Sequence, residues 1–223
     1  MVGVGSTKLQ RGLTLLAAVL VLKVNLAVVW GYRNYFPPDF NSDFLRGRED
    51  YFAGAYQWAF YAHIASGPVS LLLGTILISE AFRRRLPVWH RRLGRIQVAC
   101  VLLVVAPSGL WMARYAAAGP VGAIGFALLA IATATSAAMG WREAVARRFA
   151  AHRQWMWRNY LLLCSAVVIR LTGGLATVVG VHAAWFDPLA SWACWIVPLV
   201  IFELGTRRIG LAGRLMARST ASV

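Results

Sequence analysis

The chain has 223 residues, of which 59% are hydrophobic and only 14% are charged, and its mean hydropathy is +0.60. About a quarter of the residues of an ordinary soluble domain are charged, so this composition excludes that class. The formal net charge is +15, but the arginines lie between apolar segments, which indicates membrane topology and not nucleic-acid binding. We therefore expect an integral membrane protein that contacts the lipid bilayer.

Six apolar segments approach or exceed the length needed to cross about 30 Å of hydrocarbon. Because backbone polar groups in lipid must bond internally, runs of this length predict helices. The expected fold is all-α, a polytopic membrane helix bundle with six transmembrane helices in a single integral membrane domain, residues 1–223. The predicted spans are 13–36, 53–79, 95–115, 120–141, 155–181 and 189–205. Their functional core is expected at about 50–180.

Most of the lysines and arginines lie in alternate connections: the N-terminal tail, the second and fourth connections, and the C-terminal tail. The positive-inside rule therefore predicts that both termini face the cytoplasm. The short basic C-terminal tail is expected to contact anionic cytoplasmic lipids. The acidic residues of the opposite side are Asp39, Asp43, Glu49, Asp50 and Asp187.

The common motifs of soluble enzymes are missing from the sequence. No glycine-rich phosphate loop, nucleophile elbow or H-E-x-x-H occurs, so those chemistries have no support. Cys100, Cys164 and Cys194 all lie in apolar runs without metal spacing, which is typical of small buried side chains. Whether the protein is an enzyme stays open at this stage.

Two cytoplasmic connections repeat a histidine followed by arginines. His90 precedes Arg95 before the third predicted span, and His152 precedes Arg158 at the start of the fifth. Two histidines at one depth on neighbouring helices can bind one haem iron, with arginines such as Arg95 and Arg158 meeting the propionates. The alternative is hydrogen bonding and head-group contact at the helix N-termini.

His63 and Arg170 are polar residues within predicted spans. His63 shares its helical face with small residues, which predicts that it points into the bundle. Arg170 lies in the outer third of the fifth span, and side chains tilt toward a helix N-terminus, which directs it toward the depth of His63. The alternatives are a neutral histidine bonded to a serine or a carbonyl, a proton relay, and an arginine that snorkels to the surface. The small residues are Ala59, Gly67, Ser70 and Gly74.

No aspartate or glutamate occupies the middle of a predicted span. Lys23, His63 and Arg170 therefore have no intramembrane partner of opposite charge, and proton-coupled pumps, which usually carry central carboxylates, are disfavoured. An anionic guest would resolve the imbalance: haem propionates, a lipid phosphate or a carboxylate substrate. A quinone carbonyl would do so less strongly. For Lys23 the alternative is snorkelling from a peripheral first helix.

Four segments of the sequence carry a family resemblance: YAHI with the later LLLG, HRRLGR, GFALL and HRQWMWR. Together they resemble a bacterial family known only as predicted membrane proteins of unknown function. The resemblance covers about residues 50–180 and implies a multi-helix protein of the bacterial inner membrane, without an activity.

His90 and His152 also resemble, more weakly, the histidine pairs of two-haem transmembrane b-type cytochromes. The fourth span has no histidine to pair with His63, and His182 lies too far outward, so at most one bis-histidine site is expected.

Three functional hypotheses follow. In the first, the protein is a membrane redox component that binds haem b or a quinone, with His90 and His152 as axial ligands and with His63 and Arg170 lining a second site. This hypothesis implies a membrane redox partner. The sequence leaves open whether the protein forms an oligomer. In the second, Arg170, Lys23 and His63 hold the head group of an anionic amphiphile that is bound or transported. In the third, the protein is a structural or assembly partner without a catalytic role.

Overall fold

The computed structural model describes the backbone of residues 4–181 and 183–220, and the side chains of residues 12–181 and 183–207. His182 and most side chains of the basic tails therefore lie outside the described residues. No strand occurs in the described part, which is built of helices. They are α1 (Val4–Gly31), α2 (Glu49–Phe52), α3 (Ala55–Ile78), α4 (Glu80–Arg85), α5 (Pro87–Cys100), α6 (Ala106–Ala113), α7 (Gly119–Val145), α8 (Phe149–Leu163), α9 (Ser165–Val178) and α10 (Phe186–Thr220).

Within the described residues, six helices are long and apolar enough to cross a membrane, which confirms the predicted fold class. The third and fifth spans begin at Pro87 and Phe149, earlier than the predicted 95 and 155. Proline is favoured in the first turn of a helix, and arginine is a good helix former whose charged end can reach the interface. The spans are Gly12–Asn34, Ala55–Ile78, Pro87–Ala113, Gly119–Val145, Phe149–Val178 and Phe186–Arg207.

The two ends of the bundle differ in charge. One end, which we call the basic face, carries α4 with its three arginines and the connection at 146–148. The opposite face carries the loops at 35–54, 114–118 and 179–185. Because the number of spans is even, α1 begins and α10 ends on the basic face.

Spans two to five form a four-helix core in which α3 and α7 are each packed between the third and fifth spans. Close packing depends on small residues: a Cβ at Gly74 would lie 3.1 Å from the Tyr160 ring. Buried side chains also bond across helices, as is usual in membrane bundles. Asn159 Nδ2 donates to Thr133 O at 2.9 Å, and Gln97 Nε2 donates to Ser70 O at 2.9 Å. These contacts close the bundle on its basic side.

The third span changes its helical geometry at mid-membrane. A π-helical turn covers Val101–Val105 and separates α5 from α6. Pro107 follows the π-turn. In an ordinary α-helix, the proline ring would clash with the carbonyl group four residues earlier. A π-turn relieves this conflict, and such turns are frequent at functional sites. The turn directs Ser108 and Gly109 toward α3, where a Cβ at Gly109 would lie 3.1 Å from His63 Cε1.

The fifth span is interrupted at Cys164, between α8 and α9. Whereas α8 packs against α3 and α7, α9 packs against α1 and α10. In the outer half of the bundle, the helices α1, α3, α6, α7, α10 and α9 therefore form a ring in which each contacts its two neighbours. Within the described residues, ring helices that are not neighbours do not pack against each other. This ring surrounds the candidate site.

Residues 35–54, which we call the lid, fold over the opposite face. Leu45 and Phe52 are buried in an aromatic cluster with Tyr56 and Phe60 of α3. The lid is held by the buried side chain of Arg48, which donates hydrogen bonds to the lid itself, to α3 and to the turn after α6. Its acceptors are Phe44 O at 2.6 Å, Tyr115 O at 2.8 Å, Tyr51 Oη at 2.9 Å and Tyr56 Oη at 3.3 Å.

Candidate functional site

His63 and Arg170 lie at the same depth in the outer half of the ring. His63 is eight residues after Ala55, the start of α3, and Arg170 is eight residues before Val178, the end of α9. At 1.5 Å per residue, each is roughly 12 Å from the opposite face. Arg170 is also within electrostatic range of His63. His63 and Arg170 therefore lie at one depth and within electrostatic range of each other.

The face of α9 that carries Arg170 is directed into the ring. Val167, which is one turn earlier on the same face, is buried in an apolar cluster with residues of α1, α3, the third span and α8. The cluster therefore provides an apolar surface beside Arg170. Its buried members are Val21, Val24, Leu71, Val105, Leu163 and Val167.

The guanidinium of Arg170 is largely without protein acceptors. Its Nη1 donates to Ala166 O at 2.9 Å, and no other hydrogen bond or ion pair of this side chain occurs within the described residues. The side chain is exposed, so its remaining N–H donors are free to bond a ligand.

Three glycines leave space beside these two residues. A Cβ built at Gly67, which follows His63 by one turn on the same face of α3, would meet no atom within 4 Å. The same holds for Gly173 and Gly174, which follow Arg170 on α9. Ser70, one turn further along α3, is fully buried, and its carbonyl accepts a hydrogen bond from Gln97. We call the region bordered by His63, Gly67, Arg170, Gly173 and Gly174 the outer cleft.

The orientation of the His63 ring is fixed by the π-turn. Its Nδ1 lies 3.1 Å from Ser108 Oγ, and Ser108 Oγ donates its own proton to Val104 O at 2.5 Å. Since the hydroxyl proton is used in this way, Nδ1 is the donor to Ser108 Oγ and carries the ring proton. His63 Nε2 makes no hydrogen bond within the described residues, and it is not among their buried unpartnered atoms. Its lone pair is thus available in the cleft.

Tyr32 and Tyr35, at the outer end of the first span, are also within electrostatic range of Arg170, and the sequence interpretation did not assign them to the site. Tyr32 Oη donates to Ile64 O, which holds the end of the first span against α3. Burial raises the pKa of Tyr35, and the positive charge of Arg170 opposes that shift. Both phenols are neutral at physiological pH and cannot compensate Arg170. The signal in the sequence that could have indicated these residues is a pair of tyrosines at the end of the first apolar segment.

Lys23 is not part of the outer cleft. Its side chain is exposed, whereas Val21, Val24 and Asn25 form the buried face of α1. A lysine on the lipid-facing side of a helix can extend its charged end to the interface. The predicted contribution of Lys23 to an anion site therefore does not fit this structure. On the buried face of α1, Asn25 Nδ2 has no hydrogen-bond partner among the described residues.

The two histidines at the basic face occupy equivalent positions. His90 and His152 are each the fourth residue of a helix, α5 and α8, and each backbone N–H bonds to the residue before the helix at 2.9 Å. The two rings interact electrostatically, although no Cα pair of these diagonal helices lies within 8 Å in the described part. His152 Nδ1 donates to Gly140 O at 2.8 Å, while His90 Nδ1 is buried without a partner.

The arginines near these histidines differ in their contacts. Arg158 forms a bidentate ion pair with Glu203 of α10, at 2.6 and 3.1 Å, and it lies over the Trp155 ring at 4.7 Å. This pair links the fifth and sixth spans and occupies the guanidinium. Arg95 is exposed and has no bonded partner among the residues described. In that part of the chain no group of three His, Cys, Asp or Glu side chains is placed to hold a metal ion.

Comparison with known families gives one match, over residues 60–206, to a family described as "Predicted membrane protein (DUF2306)". The chain belongs to this family. The DUF2306 region begins in α3 and ends in α10, so it includes His63, His90, His152 and Arg170 and leaves out the lid. No curated protein and no solved structure matches the chain.

Proposed function

We propose that the outer cleft binds the anionic head group of a membrane-soluble amphiphile. The observation that carries this proposal is Arg170, a cation in the outer half of a membrane bundle whose side chain makes one hydrogen bond within the described residues. An arginine at such a depth costs several kcal/mol unless it is paired or wetted. A bound anion would supply both the charge and the acceptors that the described residues lack.

A second arginine of the same chain supports this interpretation by contrast. Arg48 is also without a carboxylate partner among the described residues, but four acceptors from the lid, α3 and the turn after α6 surround it. Its role is therefore accounted for by the fold. Arg170 has no such set of acceptors, and the difference favours a ligand.

The surroundings of Arg170 indicate a ligand with an apolar chain. The cleft lies inside the membrane spans, a cluster of valines and leucines provides an apolar surface beside Arg170, and the space beside Gly67 and Gly173 is bordered by apolar helices. A small hydrated anion would have to leave water to enter such a site. Fatty acids and anionic lipids share the required chemistry, an acidic head group on a hydrocarbon chain.

Binding of decanesulfonate to the protein in nanodiscs of neutral lipid tests this function. We expect saturable binding with one site per chain by calorimetry. Decanol has the same chain without charge, and methanesulfonate has the same head group without a chain. Each is expected to bind at least about tenfold more weakly, because it lacks one of the two contributions.

The position of the site is tested by filling the space beside Gly67. Gly67→Leu should weaken decanesulfonate binding without removing any donor, since the new side chain occupies the open region next to His63. Equal binding of decanol and decanesulfonate would contradict the proposal. If a short-chain quinone bound as tightly as decanesulfonate, the result would favour the redox hypothesis for this site.

A second candidate function is that of a haem b protein, for which His90 and His152 are the proposed ligands. The observation that favours it is the bond from His152 Nδ1 to Gly140 O, which leaves Nε2 unprotonated, as a metal ligand requires. Bound haem would supply one-electron chemistry. Exposed Arg95 is available to a propionate, whereas Arg158 is already paired with Glu203.

An absorption spectrum of the purified protein before and after dithionite tests the haem proposal. Low-spin haem would give a Soret band that sharpens, with α and β bands on reduction, and His152→Ala should abolish them. A colourless protein from haem-replete cells would contradict this function and would leave the anion site unaffected.

We also propose that the basic face lies in the cytoplasm of a bacterial cell. The positive-inside rule supports this orientation, because cytoplasmic connections are rich in lysine and arginine. Arg83, Arg84 and Arg85 of α4 all lie at this end of the bundle. In that orientation the lid and the outer cleft face the other side of the membrane. A protease added outside spheroplasts would then reach the lid.

A further inference from the structure

We propose that the outer cleft takes up a proton on His63 together with the anion, so that the two bind as a coupled pair. This inference rests on the proposed anion site and assigns His63 a role within it.

The hydrogen bonds of Ser108 determine which nitrogen of His63 faces the cleft without a proton. Ser108 Oγ donates to Val104 O at 2.5 Å and lies 3.1 Å from His63 Nδ1. Nδ1 must then be the donor, and in a neutral ring Nε2 is an acceptor. A lone pair directed at an anion is repulsive. His63 can contribute a hydrogen bond to the head group only after Nε2 has gained a proton.

The groups that face His63 include one charge and no acid among the described residues. Ser108 faces it from α6, Arg170 from α9, and Tyr32 bonds to the neighbouring Ile64 carbonyl from the turn after α1. In the empty cleft, Arg170 opposes a second positive charge on the ring. A bound anion offsets the charge of Arg170 and also attracts the protonated ring, so it reverses this preference.

The consequence is that proton and anion enter the cleft together. The protein then binds more protons with the ligand than without it, and thermodynamic linkage makes binding tighter as the pH falls. For a single proton the affinity changes by at most about tenfold per pH unit. The affinity is therefore measured in a series from about pH 5 to pH 8.

Proton uptake is measured by calorimetry of decanesulfonate binding in two buffers that differ in ionisation enthalpy. The sulfonate head group stays ionised throughout the range, so any uptake belongs to the protein. We expect uptake approaching one proton per ligand in the wild type, and dissociation constants that fall with decreasing pH. His63→Asn, which keeps a polar atom near Ser108 and lacks Nε2, should bind weakly and without uptake.

The outcomes separate this inference from the function on which it rests. Binding that is independent of pH in the wild type would overturn the coupling and retain the anion site. Binding with uptake that persists in His63→Asn would assign the proton to another group and overturn the role of His63. If decanesulfonate does not bind to the wild type at any pH, both proposals are wrong. If the variant fails to fold, the pH series on the wild type still tests whether proton and anion binding are coupled.

Discussion

Arg170→Gln is expected to weaken decanesulfonate binding by about two to three orders of magnitude, because removing one member of a desolvated charge pair costs roughly 2–5 kcal/mol. The same change should leave the ligand-free protein as stable as the wild type, or more stable. In the part of the chain that the structure describes, Arg170 makes a single hydrogen bond to protein, and an uncompensated charge within a membrane bundle is unfavourable. Calorimetry of binding and thermal unfolding of the empty protein measure the two effects.

Lys23→Gln is the matched control for this experiment. It also removes one positive charge from within a span, but Lys23 is exposed on α1, so binding and unfolding should both stay near wild-type values. Arg170→Lys keeps the charge and loses the planar set of donors, and an intermediate affinity is expected. If Arg170→Gln lowers the unfolding temperature and leaves affinity intact, Arg170 is a structural residue and the proposed function fails.

The depth of His63 and Arg170 could be predicted from the sequence because helical periodicity converts residue numbers into positions along an axis. Small residues around His63 also indicated its inward face. The ring of outer helices could not be predicted in this way. It results from the interruption at Cys164, where an apolar run continues without any change in composition.

The basic-face residues show a second limit of sequence reasoning. The equivalence of His90 and His152 was visible as a repeated pattern, and the structure places both as the fourth residue of a helix. The partner of Arg158 was not visible, because Glu203 is 45 positions away along the chain. Hydropathy gives the depth of each residue, but it does not say which helices are neighbours.

The lid was missed because its aromatic residues are typical of a membrane interface. Trp and Tyr are enriched there in any orientation, so composition alone does not reveal that Tyr56 and Phe60 bury Leu45 and Phe52. The role of Arg48 depends on carbonyl groups of Phe44 and Tyr115, and backbone acceptors leave no mark in a sequence.

Arg48→Met is expected to destabilise the lid by about 2–4 kcal/mol. The substitution keeps much of the apolar volume but leaves the part-buried carbonyl groups of Phe44 and Tyr115 without their Arg48 donor, and an unsatisfied group costs up to roughly 1–3 kcal/mol when it is fully buried. Opening of the lid should then become at least about 30-fold more frequent. Chymotrypsin added outside spheroplasts measures this, because the lid contains aromatic cleavage sites such as Phe40 and Tyr51.

Arg46→Met is the control within the same loop. Arg46 is exposed, 3.9 Å from Asp43, and its loss should change stability by no more than about 0.5 kcal/mol. Wild-type cleavage rates in Arg48→Met would show that its hydrogen bonds do not hold the lid. The Arg48→Met protein also identifies the route to the cleft, because Tyr35 of the lid lies near Arg170. If the lid opens and decanesulfonate enters at an unchanged rate, the ligand reaches Arg170 from the bilayer and not through the lid.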